Sequence, residues 1–556
     1  MKIITVFPTT LVSFFLAAQL NAQTAFLTRD SLSINKINAM VTVHGDLWFD
    51  PSDTTAHCFY PAGTHNSISS AGGLWMSGYD ASSSLHISAN MYRMPGNDFW
   101  PGPLDASGSL TYDSSQKWSR IWNVTKSQID AFRALTSPNA TNTPAVIWEW
   151  PAKGNTHAKG AGGAALAIGN NMAPFVDVNG DGTYSPELGD YPKIKGDQAL
   201  WWVYSDNGPV HNQTGGTPLK VEVHAMAYGY NRGGATDRML FYAYDIINQS
   251  SVSYDSFRVG MYADVDLGGY SDDFIGCDTT RALGFYYNGD ITDAQYGTTP
   301  PVAGITMEDL SSGGTHAFMS SFGYVLNDGS AAGKPTTPAQ YNNYLHSRTR
   351  SGGHFTDDYA GSGHISIGYG SGPDVNYMYS GNPTVHGQWS ECDAVNLPGD
   401  RTMIMASGDI ALAPGATASI TFIQAVSGLV YGNACGDSTG GPLPGILPTV
   451  DSGRAIYDGS VPPPLGVVNN VANTNNAAIH LYPNPAHNEL IVADRAAVIA
   501  GSADIVVYNC MGQAVIEQHT DMARSYLVNI GQLSAGTYLI SYTTAYGHET
   551  SRFIKE

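Results

Sequence analysis

Positive charge is scarce in this sequence. Its 556 residues carry 26 Lys and Arg against 47 Asp and Glu, a formal net charge of −21. An acidic chain repels phosphate backbones, which argues against nucleic-acid binding. Charged residues of either sign make up only 13%, about half of the usual ~25%. There are five cysteines and no CxxC pair, which argues against a structural zinc site. Beyond the N-terminus, no stretch approaches the roughly 18 apolar residues of a membrane-spanning helix. What is plentiful is Gly, at 62, and Tyr, at 32 against 18 Phe. With few charges, that composition suits short strands and many turns. The acids that are present cluster, and clustered Asp favours divalent cations.

The first 22 residues read as a signal peptide. Lys2 supplies a positive start, "VFPTTLVSFFLAAQL" an apolar stretch too short to span a bilayer, and "LNA" small residues for cleavage after Ala22. No Cys stands at the cleavage site, so a lipoprotein is not expected. An exported chain meets an oxidising compartment, where disulfides form. Cys58, Cys277, Cys392 and Cys435 could make two bridges in any of three pairings, with Cys510 left over.

Period-two runs dominate the rest. "KVEVHAMAYGYN", "RMLFYAYDIINQS" and "DSFRVGMYADVDL" follow one another at strand length. "SGDIALAPGATASITFIQAVSG" reads as a hairpin around a Pro-Gly turn. Helical candidates are short: Thr125–Leu135, with a Thr cap, and a segment near 450–459. "VPPPLGVVNNVANTNNAA" at 461–478 has no charge and no period, and reads as a linker. The expected fold is mainly β, with antiparallel β-sandwich domains at 23–215 and 216–460. A small immunoglobulin-like β-sandwich follows at 479–556.

The tail also carries ordered motifs. "YPNPA" at Tyr482–Ala486, "VVYNCMGQAV" at Val506–Val515, "LSAGTYLISY" at Leu533–Tyr542 and the closing "RFIKE" occur in sequence. Together they resemble the C-terminal sorting domain of type IX secretion substrates. That resemblance implies recognition by the type IX secretion machinery and passage across a Gram-negative outer membrane. Release or surface attachment would follow. In the body, "INAMVTVHGDLWFDPS", "GGLWMSGYD", "GNDFWPGPLD", "GDQALWWVYSDNG" and "DDFIGCDTTRALGFYYNGD" resemble a group of large exported proteins bearing the same tail. This second resemblance implies no activity.

"DVNGDGTYSPELGDYP" at 177–192 suggests a metal loop. Asp177, Asn179 and Asp181 alternate, Gly182 permits a sharp turn, and Thr183 can offer its carbonyl; these match positions 1, 3, 5, 6 and 7 of a calcium loop. Position 12 is Leu188 where a bidentate Glu is expected, so Glu187 or Asp190 must close the shell. Pro186 and Pro192 allow one helical turn at most, which fits an isolated calcium loop and not a paired sensor. The alternative is an Asx-rich solvated turn. Asp264, Asp266, Asp272 and Asp273, in "YADVDLGGYSDDF", form a second candidate calcium cluster.

Three fragments imitate a trypsin-like protease: His57 in "TTAHC", Asp409 in "DIAL" and Ser438 in "CGDSTGGPL". The chain order matches, but the spacings do not, and Thr439 interrupts the glycine pair that would serve the oxyanion hole. No catalytic residue is assigned. "NDFW" and "ALWWVYSD" offer aromatics that could stack on sugars or fill a core. The expectation is a calcium-stabilised, exported surface or secreted protein of structural or adhesin-like type. The rival is a secreted carbohydrate-active enzyme or glycan-binding protein, with paired carboxylates in a cleft. Either way the partner would be a glycan or another cell-surface component.

Overall fold

The computed structural model describes residues 28–459 and 479–556, apart from 51, 92–95, 170, 291, 358–366, 428–434, 436–441, 483–484, 495–502, 510–512, 521–524 and 545–546. The expected signal peptide and linker, Ser438 and Cys510 lie outside the described residues. Residues up to 466 form one compact unit and 467–556 another.

The main strands of the body are, in chain order, β1 (Ala71–Tyr79), β2 (Leu85–Ala89), β3 (Trp100–Pro101), β4 (Gln198–Ser205), β5 (Val221–Gly229), β6 (Met239–Asn248) and β7 (Tyr254–Asp264). They continue with β8 (Asp273–Asp278), β9 (Leu283–Asn288), β10 (Val302–Met307), β11 (Met319–Val325), β12 (Thr402–Ser407), β13 (Ile410–Leu412) and β14 (Thr417–Val426). An 11-stranded sheet runs β8-β9-β10-β14-β6-β5-β4-β3 along its main path. A six-stranded sheet runs β11-β12-β7-β1-β2, with β13 beside β7. All of these pairings are antiparallel.

The large core lies between these sheets. Trp75 and Tyr262 of the smaller sheet belong to the same cluster as Trp202, Tyr204 and Tyr242 of the larger one. Each Leu, Ile or Phe fully removed from water here contributes roughly 1.5–3 kcal/mol. Two hydrogen bonds link polar atoms inside the core: Trp48 Nε1 donates to the Tyr242 hydroxyl at 2.8 Å, and Gln424 Nε2 donates to Ser69 Oγ at 3.1 Å.

The larger sheet is covered on its other face as well. Along β4, Leu200, Trp202 and Tyr204 enter the large core, while Ala199, Trp201 and Val203 enter a second one. Helix α1 (Lys126–Arg133) contributes Ile129 and Phe132 to that second core. Thr125 caps α1, as its sequence suggested, and the structure adds Gln128 to make a capping box. Helix α2 (Pro442–Tyr457) starts earlier than the sequence suggested and packs Ile446 and Val450 against Phe285 and Ala425.

Three expectations change. The division near residue 215 does not separate sheets: β1 pairs with β7, and β4 with β5, across it. The strands on either side lack a complete core of their own, so they share one. Nor do β13 and β14 form a hairpin. β13 pairs with β7 and β14 with β6 and β10, so the Pro-Gly turn carries the chain from one sheet to the other. Among the described residues one disulfide forms, Cys392–Cys435, while Cys58 and Cys277 are buried free thiols.

The tail has a three-stranded and a four-stranded antiparallel sheet. Leu490, Val492, Ile505, Val507, Ile540 and Phe553 fill the core between them. Ala486, from the "YPNPA" motif, is fully buried and donates its N–H to the carbonyl of Ile554 in the closing strand.

Candidate metal-binding turns

A short ribbon holds the ends of the 177–190 loop together. Phe175 pairs with Pro192 and Val176 with Tyr191. Between them the chain curls, with Gly180 (φ 76°) and Gly182 (φ 78°) in the left-handed region that favours glycine. Asp177 accepts from the N–H groups of Gly180 (2.7 Å) and Gly182 (2.8 Å). Asn179 Oδ1 accepts from Asp181 N, and Asn179 Nδ2 donates to Asp181 Oδ2 at 2.8 Å. Asp181 Oδ1 accepts from the N–H and the hydroxyl of Thr183, and these bonds, hydroxyl first, hold its carboxyl below the usual range.

Asp177, Asn179, Asp181 and Thr183 therefore share one curl. Glu187 and Asp190 are engaged elsewhere. Glu187 is exposed on the 186–188 turn and lies against His157. Asp190 is fully buried; its two oxygens accept from Val178 N (2.7 Å) and Ser185 N (2.8 Å). Leu188 is 59% exposed, so the position that usually closes a calcium shell faces solvent.

The second acidic turn is enclosed. Asp264 ends β7, Asp266 follows, and Asp273 opens β8. The fold adds Asp400, just before β12, and ligand oxygens of Asp264, Asp266 and Asp400 lie within 4.8 Å of one another. It also adds Asp293. The backbone at Gly268 and Gly269 passes so close that added Cβ atoms would sit 2.2 Å from Asp293 Oδ1 and 2.7 Å from Asp272 Oδ1. Burial first, then repulsion from Asp266 and Asp400, pushes Asp264 up to about 8, with the Thr402 hydroxyl and Lys334 opposing. Burial, then Asp293 and Asp290, raises Asp272 to about 6. Asp273 is pushed well above the carboxylate range by burial, with Asp266, Asp272 and Asp293 adding to it. Sequence reasoning missed Asp293 and Asp400 because neither is local to the turn.

A third grouping, Asp50, Asp53 and His57, also brings ligand atoms within 4.8 Å. His57 Nε2 stands 2.9 Å from Asp53 Oδ2, while Asp409 is held by the guanidinium of Arg258. The protease-like residues His57 and Asp409 thus have other partners. Phe99, Trp100, Trp201 and Trp202, the aromatics in which the sequence offered sugar stacking, are buried.

Among the described residues no helix is long and apolar enough to cross a membrane. No curated protein matches the chain. Two solved structures show faint likeness. A polysaccharide lyase is 9% identical with a TM-score of 0.17, covering 69% of this chain and 39% of its own. Dimeric latent PorU from Porphyromonas gingivalis is 10% identical with a TM-score of 0.14, covering 97% of this chain and 47% of its own. The chain spans less than half the length of either, and likenesses this faint are no guide to fold or activity. The tail is different: residues 480–556 match the family described as a secretion system C-terminal sorting domain. The chain is therefore a type IX secretion substrate, destined for the surface of a Gram-negative bacterium or for release from it.

Proposed function

We propose that the exported body is a structural or interaction module of adhesin-like kind, stabilised by calcium at the 177–190 loop. One observation carries this reading: the protease-like and sugar-stacking candidates of the sequence that the structure describes are committed to the fold. His57 is paired with Asp53, Asp409 with Arg258, and the tryptophans of β3 and β4 lie in the cores. The calcium assignment is supported by hard oxygen donors gathered on one curl. Extracellular calcium would fill even a weak site, with Kd of ~10⁻⁴–10⁻³ M. At 100 times Kd the ion would stabilise the fold by about 2.7 kcal/mol.

A glycan array and a cell-adhesion assay with the purified body test the interaction role, and turnover of a polysaccharide by that body would overturn it. For the loop, Asp181→Ala should lower the melting temperature in calcium and shrink the drop caused by a chelator. Equal chelator sensitivity in mutant and wild type would remove calcium from the proposal. Deleting residues 479–556 should leave the protein in the periplasm by cell fractionation.

A further inference from the structure

Acids outnumber bases in this chain by 47 to 26, so an arginine has no shortage of carboxylates to pair with. Every other described arginine of the body meets a carboxylate, a backbone carbonyl or an aromatic ring. Arg238 is the exception. Among the described residues it makes no hydrogen bond and no ion pair, and its Nε is buried without an acceptor. A buried N–H left unpaired is costly, and the fold keeps this one. We propose that Arg238 anchors a binding site for an acidic sugar, its guanidinium fork taking the sugar's carboxylate.

The backbone around Arg238 is fixed from several sides. Arg238 closes the tight turn Gly234–Arg238 that leads into β6. Lys36 N donates to the Asp237 carbonyl at 3.0 Å, and Ala62 N to the Lys36 carbonyl at 2.7 Å. Asn35 Nδ2 donates to the carbonyls of Thr236 and Met239, on either side of Arg238. Asp237, the adjacent acid, is buried and turned to the N–H groups of Arg232 and Gly233. The half-buried phenol of Tyr60, which burial raises, is lowered by the charge of Arg238. The surroundings are open. Lys36 and residues 61–63 are exposed, and Cβ atoms added at Gly233 and Gly234 would meet nothing within 4 Å. A guanidinium matches a carboxylate in two parallel bonds, and the ring of Tyr60 offers the apolar platform that a sugar needs. Lys36 brings a second positive charge to the same junction. A net charge of −21 repels densely charged polyanions, which favours a ligand with no more than one carboxylate per sugar.

The proposal rests on the reading of the body as an interaction module, and one experiment separates their failures. The full chain would be titrated by calorimetry with a glucuronate tetrasaccharide, with its neutral methyl ester and with tetraglutamate. The proteins compared are wild type, Arg238→Gln and Arg238→Lys. Wild type should bind the glucuronate oligomer and not its ester. Arg238→Gln should weaken that binding about 10- to 100-fold. Arg238→Lys, which keeps the charge but not the fork, should weaken it less, and it keeps the test open if Arg238→Gln fails to fold by circular dichroism. Without sugar, Arg238→Gln should melt at or above the wild-type temperature, because this arginine has no partner to lose. A lower melting temperature would show a structural arginine and overturn the site. Equal affinity in all three proteins, equal binding of acid and ester, or a preference for tetraglutamate would overturn the sugar site and leave the interaction module standing. Failure to bind any of the three probes would also overturn the site, and the cell-adhesion assay then decides the module by itself.

Discussion

The 177–190 loop and the turn after β7 each carry four carboxylates in a short stretch, and the fold treats them differently. In the loop, Asp177, Asp181 and Asp190 accept backbone N–H groups, so most of its charge already has a local donor. In the turn, Asp264 and Asp273 are buried and press on their acidic neighbours. The loop has the stronger metal-binding sequence. The turn has the more strongly perturbed carboxyls. Pattern in the chain records what the backbone can do alone; that perturbation arises only when distant acids are brought together.

The comparison can be broken first at Asp190. If hydrogen bonds alone hold the loop, Asp190→Ala should cost about 2–4 kcal/mol by urea denaturation, in calcium and chelator alike, because it strands two amides that a charged acceptor had satisfied. A cost that disappears in chelator would instead make Asp190 part of an ion shell.

Glu308 sharpens the contrast, because it is buried like the acids of the turn but has Arg454 3.5 Å away. Burial raises it to about 7, with Arg454 opposing. The unfolded chain ionises first as pH rises from about 4.5 towards 7, so folding loses stability across that window. Glu308→Gln should abolish this loss and gain on wild type by about 1–3 kcal/mol between pH 5 and 8. Parallel urea midpoints across that range would show that Arg454 neutralises the site fully. The smallest effect belongs to Asp181→Ala in chelator, where losing exposed hydrogen bonds should cost no more than about 1 kcal/mol. A larger loss would mean that the ion-free loop depends on that carboxylate.

Much of the fold was legible because it is local. Period two marked β5, β6 and β7, and Thr125 marked the start of α1. The curl at Asp177–Thr183 followed from alternating acids and two glycines. What could not be read depends on pairing at a distance. Nothing within Ala71–Tyr79 says that its partner is Arg258–Asp264. The apolar run inside β4, Ala199–Tyr204, does not say that a helix-bearing layer covers its second face. A Pro-Gly turn looks the same whether it folds a strand back on itself or sends it to another sheet. Asp400 joins Asp264 across 136 residues, a proximity made by β7 pairing with β12.

The place of β14 sets the order in which the body can be finished. It is the last of the body's strands in sequence, yet it lies between β10 and β6, near the middle of the larger sheet. Until residue 426 has been made, the β3–β6 portion and the β8–β10 portion are separate ribbons, each with an open edge of unpaired backbone groups. Their closure is one late step built on long-range contacts, which makes it slow. A nascent chain thus stays unsealed through about the first three quarters of its 556 residues, with two edges open to pairing with its own kind until β14 slides in as the keystone.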